Sequence, residues 1–291
     1  MKTMKQRYLF LDVIRIFSIL LIVMFHISQT NNSILSSFGF PGIPGMNAGE
    51  VGVLILIFVS GAALFISHPP KETSKNINNF YKGRLQRIYP AFWISMIIPT
   101  IISPTIISKI NFINVIPLLS GFTAFCGVTS TWGGFINDSY WFIGLIVILY
   151  FFYPTIAKYI DNYPTPTMII LIFTTMISTL LSVIFDVAGA GTNISILFRS
   201  PLSNIVVFGA GMYIVRTGLY PKLINSNKII IYLSELTFFV YLYHLPLLPI
   251  SKVSIIIFII VLTGICVVAK QIDFTIQKKI TDLSNMHFNK R

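Results

Sequence analysis

The sequence predicts an all-α protein, a polytopic transmembrane helix bundle with about eight spans, one additional re-entrant segment and both termini in the cytoplasm. Three observations carry that expectation. Hydrophobic residues make up 55% of the 291-residue chain and charged residues only 10%, against about a quarter charged in soluble domains, and the mean hydropathy is +0.80. Apolar stretches near the roughly 20-residue length that crosses a bilayer recur along the chain: Leu9–Gln29, Val51–His68, Ile88–Ser108, Tyr140–Ala157, Met168–Val187, Leu197–Val215, Ile229–Leu248 and Ser254–Ala269. Lys and Arg concentrate at alternate ends of these stretches, as the positive-inside rule requires. No internal repeat or separate soluble domain interrupts them, so residues 1–291 read as a single domain.

The first span follows Lys2, Lys5 and Arg7 and so starts in the cytoplasm. It lacks a small-residue cleavage site and has the length of a true span, so it is expected to remain as a helix. Inside it stand Arg15 and His26. An ionised side chain at mid-span costs about 2.5–3.5 kcal/mol on insertion scales and usually faces a cavity, a partner or a substrate path. Residues eleven apart lie roughly 16 Å apart along a helix but differ by only about 20° around it. Arg15 and His26 therefore share a face, with Ser18 and Gln29 near it and Asp12 at its edge. Imidazole takes protons near neutral pH, which makes His26 a candidate general base; the alternative is a histidine bonded to a neighbouring helix or lying at the interface.

The loop Thr30–Gly49 has no Lys or Arg, as an outer loop should. Glu50 opens the second span roughly level with His26, where it could orient an imidazole, bind an acceptor or simply be solvated. Ser60 and Gly61 further along suit close helix contact. Lys71, Lys75, Lys82, Arg84 and Arg87 then mark a cytoplasmic loop before the third span. Arg84 and Arg87 lie one helical turn apart and could clasp a phosphate by charge-assisted bonds, or touch lipid headgroups.

Phe112–Phe125 is apolar but short and contains Pro117 and Gly121, which suits a re-entrant or interfacial segment. Counting it as a crossing would put the basic tail, Lys270 through Arg291, outside. Trp141, Tyr150 and Tyr153-Pro154 in the fourth span, and Tyr241 and His244 in the seventh, combine aromatic and polar groups; interfacial aromatic belts account for most such residues. His244 falls towards the same, outer side as His26.

The net charge of +12 follows topology and is met by anionic lipid, so no nucleic-acid partner is implied. Cys126 and Cys266 show neither disulfide nor metal spacing, and no metal is expected. Three sequons, at Asn31, Asn137 and Asn193, fall in loops that this topology places outside.

Taken in order, these stretches resemble the membrane-bound acyltransferase-3 family, which includes O-acetyltransferases of surface polysaccharides and peptidoglycan. Leu11-Asp12…Arg15…His26 is similar to its first-helix motif, Phe58-Val59-Ser60-Gly61 to its Ser-Gly helix and Arg84-Leu85-Gln86-Arg87 to its paired-arginine segment. Trp141-Phe142-Ile143 with Tyr150 and Pro154, Phe208-Gly209-Ala210-Gly211-Met212, and Tyr241-Leu242-Tyr243-His244 are similar to three later motifs.

The resemblance implies a plasma-membrane acyltransferase that moves an acyl group, acetyl by family expectation, from cytoplasmic acyl-CoA to a hydroxyl of an extracytoplasmic acceptor such as a cell-envelope glycan. It implies His26 as the catalytic base, Arg15, Arg84 and Arg87 as donor-binding residues, and Glu50, Ser60, Trp141, Tyr150, Tyr241 and His244 as substrate-binding or supporting residues. Family members usually have ten spans, so a helix pair is missing before the Tyr241 segment. The competing reading is a transporter or flippase with Arg15, His26 and Glu50 along its path, although the paired interrupted helices of many carriers are absent. The outer loops carry no motif that names an acceptor, and nothing specifies an oligomeric state.

Overall fold

The computed structural model describes residues 7–30, 47–102, 112–122, 140–187, 200–224 and 226–288. The helices among them are α1 (Leu9–Thr30), α2 (Ala48–Ser67), α3 (Pro70–Lys75), α4 (Ile77–Ser95), α5 (Ile97–Ile102), α6 (Phe112–Ser120), α7 (Trp141–Asn162), α8 (Pro164–Val187), α9 (Pro201–Thr217), α10 (Lys228–Leu247) and α11 (Ile255–Phe288), with a 3₁₀ turn over Leu248–Lys252. A backbone bridge between Tyr8 and Ile224, and donation by Leu9 N–H to the Leu223 carbonyl at 2.9 Å, pin the entry of α1 to the segment before α10. The three sequons and Cys126 lie outside the described residues; Cys266 is buried and free.

Six helices, α1, α2, α7, α8, α10 and α11, are long and apolar enough to cross a membrane. The all-helical, multi-pass expectation holds, but two of the eight expected spans have a different form. The third is carried by α4, whose first half holds Lys82, Arg84 and Arg87, and which breaks at Met96 before the short α5. The paired arginines thus stand on a helix and not in a loop. The sixth is α9, only 17 residues long, begun by Pro201 and ended by Gly218 at φ 75°. The segment expected to be re-entrant contributes α6, nine residues and too short to cross. Its last carbonyls are satisfied by α4, with Trp93 Nε1–H donating to Leu119 at 2.9 Å and Tyr89 O–H to Ser120 at 3.0 Å.

Helix α2 lies at the centre, packed against α1 on one side and α9 on the other. Both contacts depend on missing side chains. A Cβ on Gly52 would stand 2.6 Å from the Ser18 carbonyl oxygen of α1. One on Gly61 would stand 2.1 Å from the Phe208 carbonyl oxygen, and one on Gly211 2.1 Å from that of Phe58. Backbones therefore meet directly along α2 and α9, the close approach that small residues permit between membrane helices. Ile143, Leu145, Leu149, Tyr153, Ala157 and Ile160 of α7 fill the core with no exposed surface. By contrast, Ile170, Phe173, Met176, Ile177 and Leu180 of α8 are exposed, as a lipid-facing helix requires.

Helix α11 departs furthest from expectation. The expected span ended at Ala269, where charged residues begin, but the helix continues for 34 residues in all, about 50 Å at 1.5 Å per residue. A bilayer core needs about 30 Å. The extra turns hold Lys270, Asp273 and Gln277.

Replacing Gly211 by alanine should lower stability by about 3 kcal/mol, because the atoms in the way are backbone and cannot rotate aside. Gly264→Ala on α11, where an added Cβ meets nothing within 4 Å, should leave the thermal midpoint unchanged or slightly higher. Melting both variants in the same detergent checks the pair; equal midpoints would show that the α2–α9 approach is not tight.

Candidate functional site

A cavity of about 760 Å³ lies among α1, α2, α4, α7, α10 and α11. It brings together six of the residues expected from sequence: Arg15, Ser60, Arg84, Arg87, Tyr150 and Tyr241. It also holds charged groups that the expected site did not include, namely Arg7, Asp12, Glu235, Lys270 and Asp273. Glu235 stands within an apolar stretch, which was the signal available for it.

The acidic groups are largely spoken for. Asp12, 3% exposed, accepts from Arg7 Nη2 at 2.7 Å and from the Ser234 hydroxyl at 2.7 Å. Arg15 Nη1 donates to Ser234 Oγ at 3.2 Å and stands 3.9 Å from Asp12. Glu235 takes Arg7 on one oxygen at 2.6 Å and Lys270 on the other at 2.8 Å. Burial works against the charge of Arg7, but bonds and attraction from Asp12 and Glu235 outweigh it and raise its pKa above the ordinary value.

Arg84 and Arg87 differ from these. Among the described residues neither forms an ion pair. Arg84 Nη2 lies 3.3 Å from His68 Nε2. A guanidinium only donates, so His68 accepts there, and its Nδ1–H donates to Ser67 Oγ at 2.7 Å. The Arg84 guanidinium is 5.9 Å from the Phe80 ring, which stacks on Tyr153 at 5.2 Å. The Tyr153 hydroxyl in turn donates to the Leu64 carbonyl at 3.1 Å and the His68 carbonyl at 2.5 Å. Arg84 is thus braced on one side, while its Nε is buried without a hydrogen-bond partner among the described residues. Sequence reading treated His68 only as the end of a span, since nothing in its local pattern ties it to Arg84.

Helices α1 and α10 run side by side in the same direction. Asp12 and Arg15 meet Ser234, His26 meets His244 with ring centres 5.2 Å apart, and Thr30 meets Ser251 at 3.2 Å. The polar face deduced for α1 is therefore real and is matched by α10. His26 and His244 do not line the cavity. Phe142 and Tyr241, whose rings are 5.0 Å apart, form part of its wall, and His244 lies 5.8 Å beyond Tyr241.

Two expected residues have other surroundings. Glu50 closes a capping box at the start of α2, accepting from Asn47 N–H at 3.0 Å while its own N–H donates to Asn47 Oδ1 at 2.9 Å. Trp141 sits at the start of α7, edge-on to Phe142 at 6.2 Å.

A family model described as an acyltransferase domain, that of the acyltransferase-3 family, matches residues 8–222. No curated protein and no solved structure matches the chain. The matched region holds α1 to α9, so the walls supplied by α10 and α11 follow it.

Asp12→Ala should destabilise the protein by about 3 kcal/mol, because Arg15 and the Ser234 hydroxyl lose their carboxylate and Arg7 keeps only Glu235. Combining it with Ser234→Ala should cost less than the two single losses summed, by at least about 0.5 kcal/mol. Unfolding of the four proteins in one detergent checks this, and strict additivity would show that Asp12 and Ser234 are not coupled.

Proposed function

Because the chain belongs to the acyltransferase-3 family of membrane acyltransferases, we propose that it moves an acyl group, acetyl in the first instance, from cytoplasmic acyl-CoA to a hydroxyl of an extracytoplasmic acceptor such as a cell-envelope glycan. The observation that carries this reading is the division of charge in the cavity. Both oxygens of Glu235 and the carboxylate of Asp12 are engaged, while Arg84 and Arg87, one turn apart on α4, line the same space with no salt bridge among the described residues, Asp273 being the one remaining carboxylate of the lining. Two guanidiniums against a single remaining carboxylate, in a partly desolvated cavity, leave net positive charge for a multiply charged anion, and the pyrophosphate of coenzyme A fits that chemistry. Arg15, further along, would meet the less charged part of the same donor.

In this reading His26 accepts the proton of the acceptor hydroxyl. The oxygen attacks the thioester carbonyl, the carbon–sulfur bond breaks, and the departing thiolate takes the proton back from His26. A route through an acyl-histidine uses the same residue as nucleophile. Tyr241 lines the cavity and touches His244, which touches His26, so in this reading the acyl end of the donor passes Tyr241 and its neighbour Phe142. The positive-inside pattern supports a cytoplasmic location for Arg84 and Arg87 and for both termini.

The test is transfer of label from radiolabelled acetyl-CoA to crude cell-envelope glycans by purified protein. His26→Ala should lower kcat by about 10²–10⁴-fold with little change in donor KM. Arg84→Ala with Arg87→Ala should raise donor KM by about 10²-fold. Equal labelling by wild type and His26→Ala would remove His26 from catalysis. Absence of coenzyme A binding together with substrate-driven proton flux in liposomes would favour transport.

A further inference from the structure

His244 is a buried group that the proposed reaction leaves without a task. It has no exposed surface, and its Nδ1 lies 2.8 Å from the Tyr241 carbonyl oxygen and 3.1 Å from that of Val240, both on its own helix. Carbonyl oxygens only accept, so Nδ1 carries the proton. The neutral ring then has its lone pair on Nε2, which is buried and has no hydrogen-bond partner among the described residues. An acceptor left in that condition forfeits its hydration without replacement, and a native protein that retains one needs a reason.

The ring of His26 on α1 is the nearest candidate partner, 5.2 Å centre to centre with the planes tilted by 41°; Tyr241 is further, at 5.8 Å. A ring nitrogen lies roughly 1.1 Å from its ring centre, so turning two nitrogens towards each other leaves about 3 Å, a hydrogen-bond length. The parallel course of α1 and α10, fixed by Asp12 and Ser234 at one end and by Thr30 and Ser251 at the other, holds the rings at this separation.

We propose that His244 is the positioning residue of His26. Its Nε2 receives a ring N–H of His26, which selects the His26 tautomer whose other nitrogen bears the lone pair and turns that nitrogen to the acceptor hydroxyl. This deepens the reading of His26 as base and rests on it. When His26 takes the hydroxyl proton, its N–H bond to His244 becomes charge-assisted and stronger. The thiolate released from the thioester then removes that proton from His26, and His244 itself neither gains nor loses one. A neutral partner suits the place, because a carboxylate there would be a second ion to desolvate.

The test uses full-length protein, ¹⁵N-labelled at histidine, in lipid nanodiscs. In the wild type, His244 should be the Nδ1–H tautomer, His26 a single tautomer, and a nitrogen–nitrogen coupling should link His26 to His244 Nε2. In His244→Phe, His26 should become a mixture of tautomers, and kcat should fall about 10²-fold with donor KM within about twofold. In His244→Gln, whose amide oxygen can accept the same N–H, kcat should return to at least about a tenth of wild type. Absence of the coupling, a His26 tautomer unchanged in His244→Phe, or equal losses in the two variants would overturn the proposal. If His244→Phe does not fold, the wild-type coupling and the His244→Gln rate decide. A wild type that shows the coupling but transfers no acyl group from acyl-CoA would sink the acyltransfer reading and leave the pairing standing.

Discussion

The buried carboxylate of Asp12 is the contact on which the site is built. Placing an ion in an apolar bundle is tolerable only if it is paired and hydrogen-bonded, and Asp12 meets that condition by drawing on three parts of the chain: Arg7 before α1, Arg15 one turn on, and Ser234 of α10. The consequence is geometric. Helices α1 and α10 are clamped at the height of Arg15, Arg7 is left with a second arm for Glu235, and Glu235 in turn reaches Lys270 of α11. One chain of charge-assisted contacts thus joins the first helix to the last two, and the cavity is the space that these helices, with α2, α4 and α7, enclose.

Close packing on the other side of α1 makes the clamp effective. Helix α2 can approach α1 at Gly52 and α9 at Gly61 because no Cβ intervenes, so α1 is held between a tight apolar contact and a polar one. A helix fixed on both faces keeps its remaining polar side chains at set positions along its length. Arg15 and His26 are then two stations on a rigid rod, roughly 16 Å apart by helical rise.

Much of this was legible in the sequence because it depends on local chemistry. Apolar runs mark helices, and a spacing of eleven residues puts Arg15 and His26 on one face whatever surrounds them. Arg84 and Arg87 could be read as a pair for the same reason. What escaped was set by partners distant in sequence. His68 holds Arg84 across sixteen residues, Lys270 holds Glu235 across thirty-five, and Asp12 finds Ser234 across more than two hundred; no periodicity reports such meetings. The end of α11 is not legible from charge, because charged residues mark where the span leaves the bilayer and a helix that leaves it has no reason to unwind. Glu50 is a converse case: Asn47, three residues before it, engages it in a helix cap, a contact between residues close in sequence.

On the proposed reading, the separation of the cavity from the histidine pair has a chemical use. The wall at Phe142 and Tyr241 is aromatic, with Phe142 6% and Tyr241 3% exposed, and beyond Tyr241 come His244 and then His26. A continuous polar channel would let water reach a thioester and would leak ions down the α1–α10 seam. In the proposed reaction a wall of two packed rings would oppose both and could still part for a thin chain, because rings yield by side-chain rotation whereas the backbone contacts of α2 do not. The charged groups collect in the cavity, and the two imidazoles lie outside its lining. A single helix face carries both because Asp12 fixes one end of it to α10 and the His26–His244 contact lies at the other.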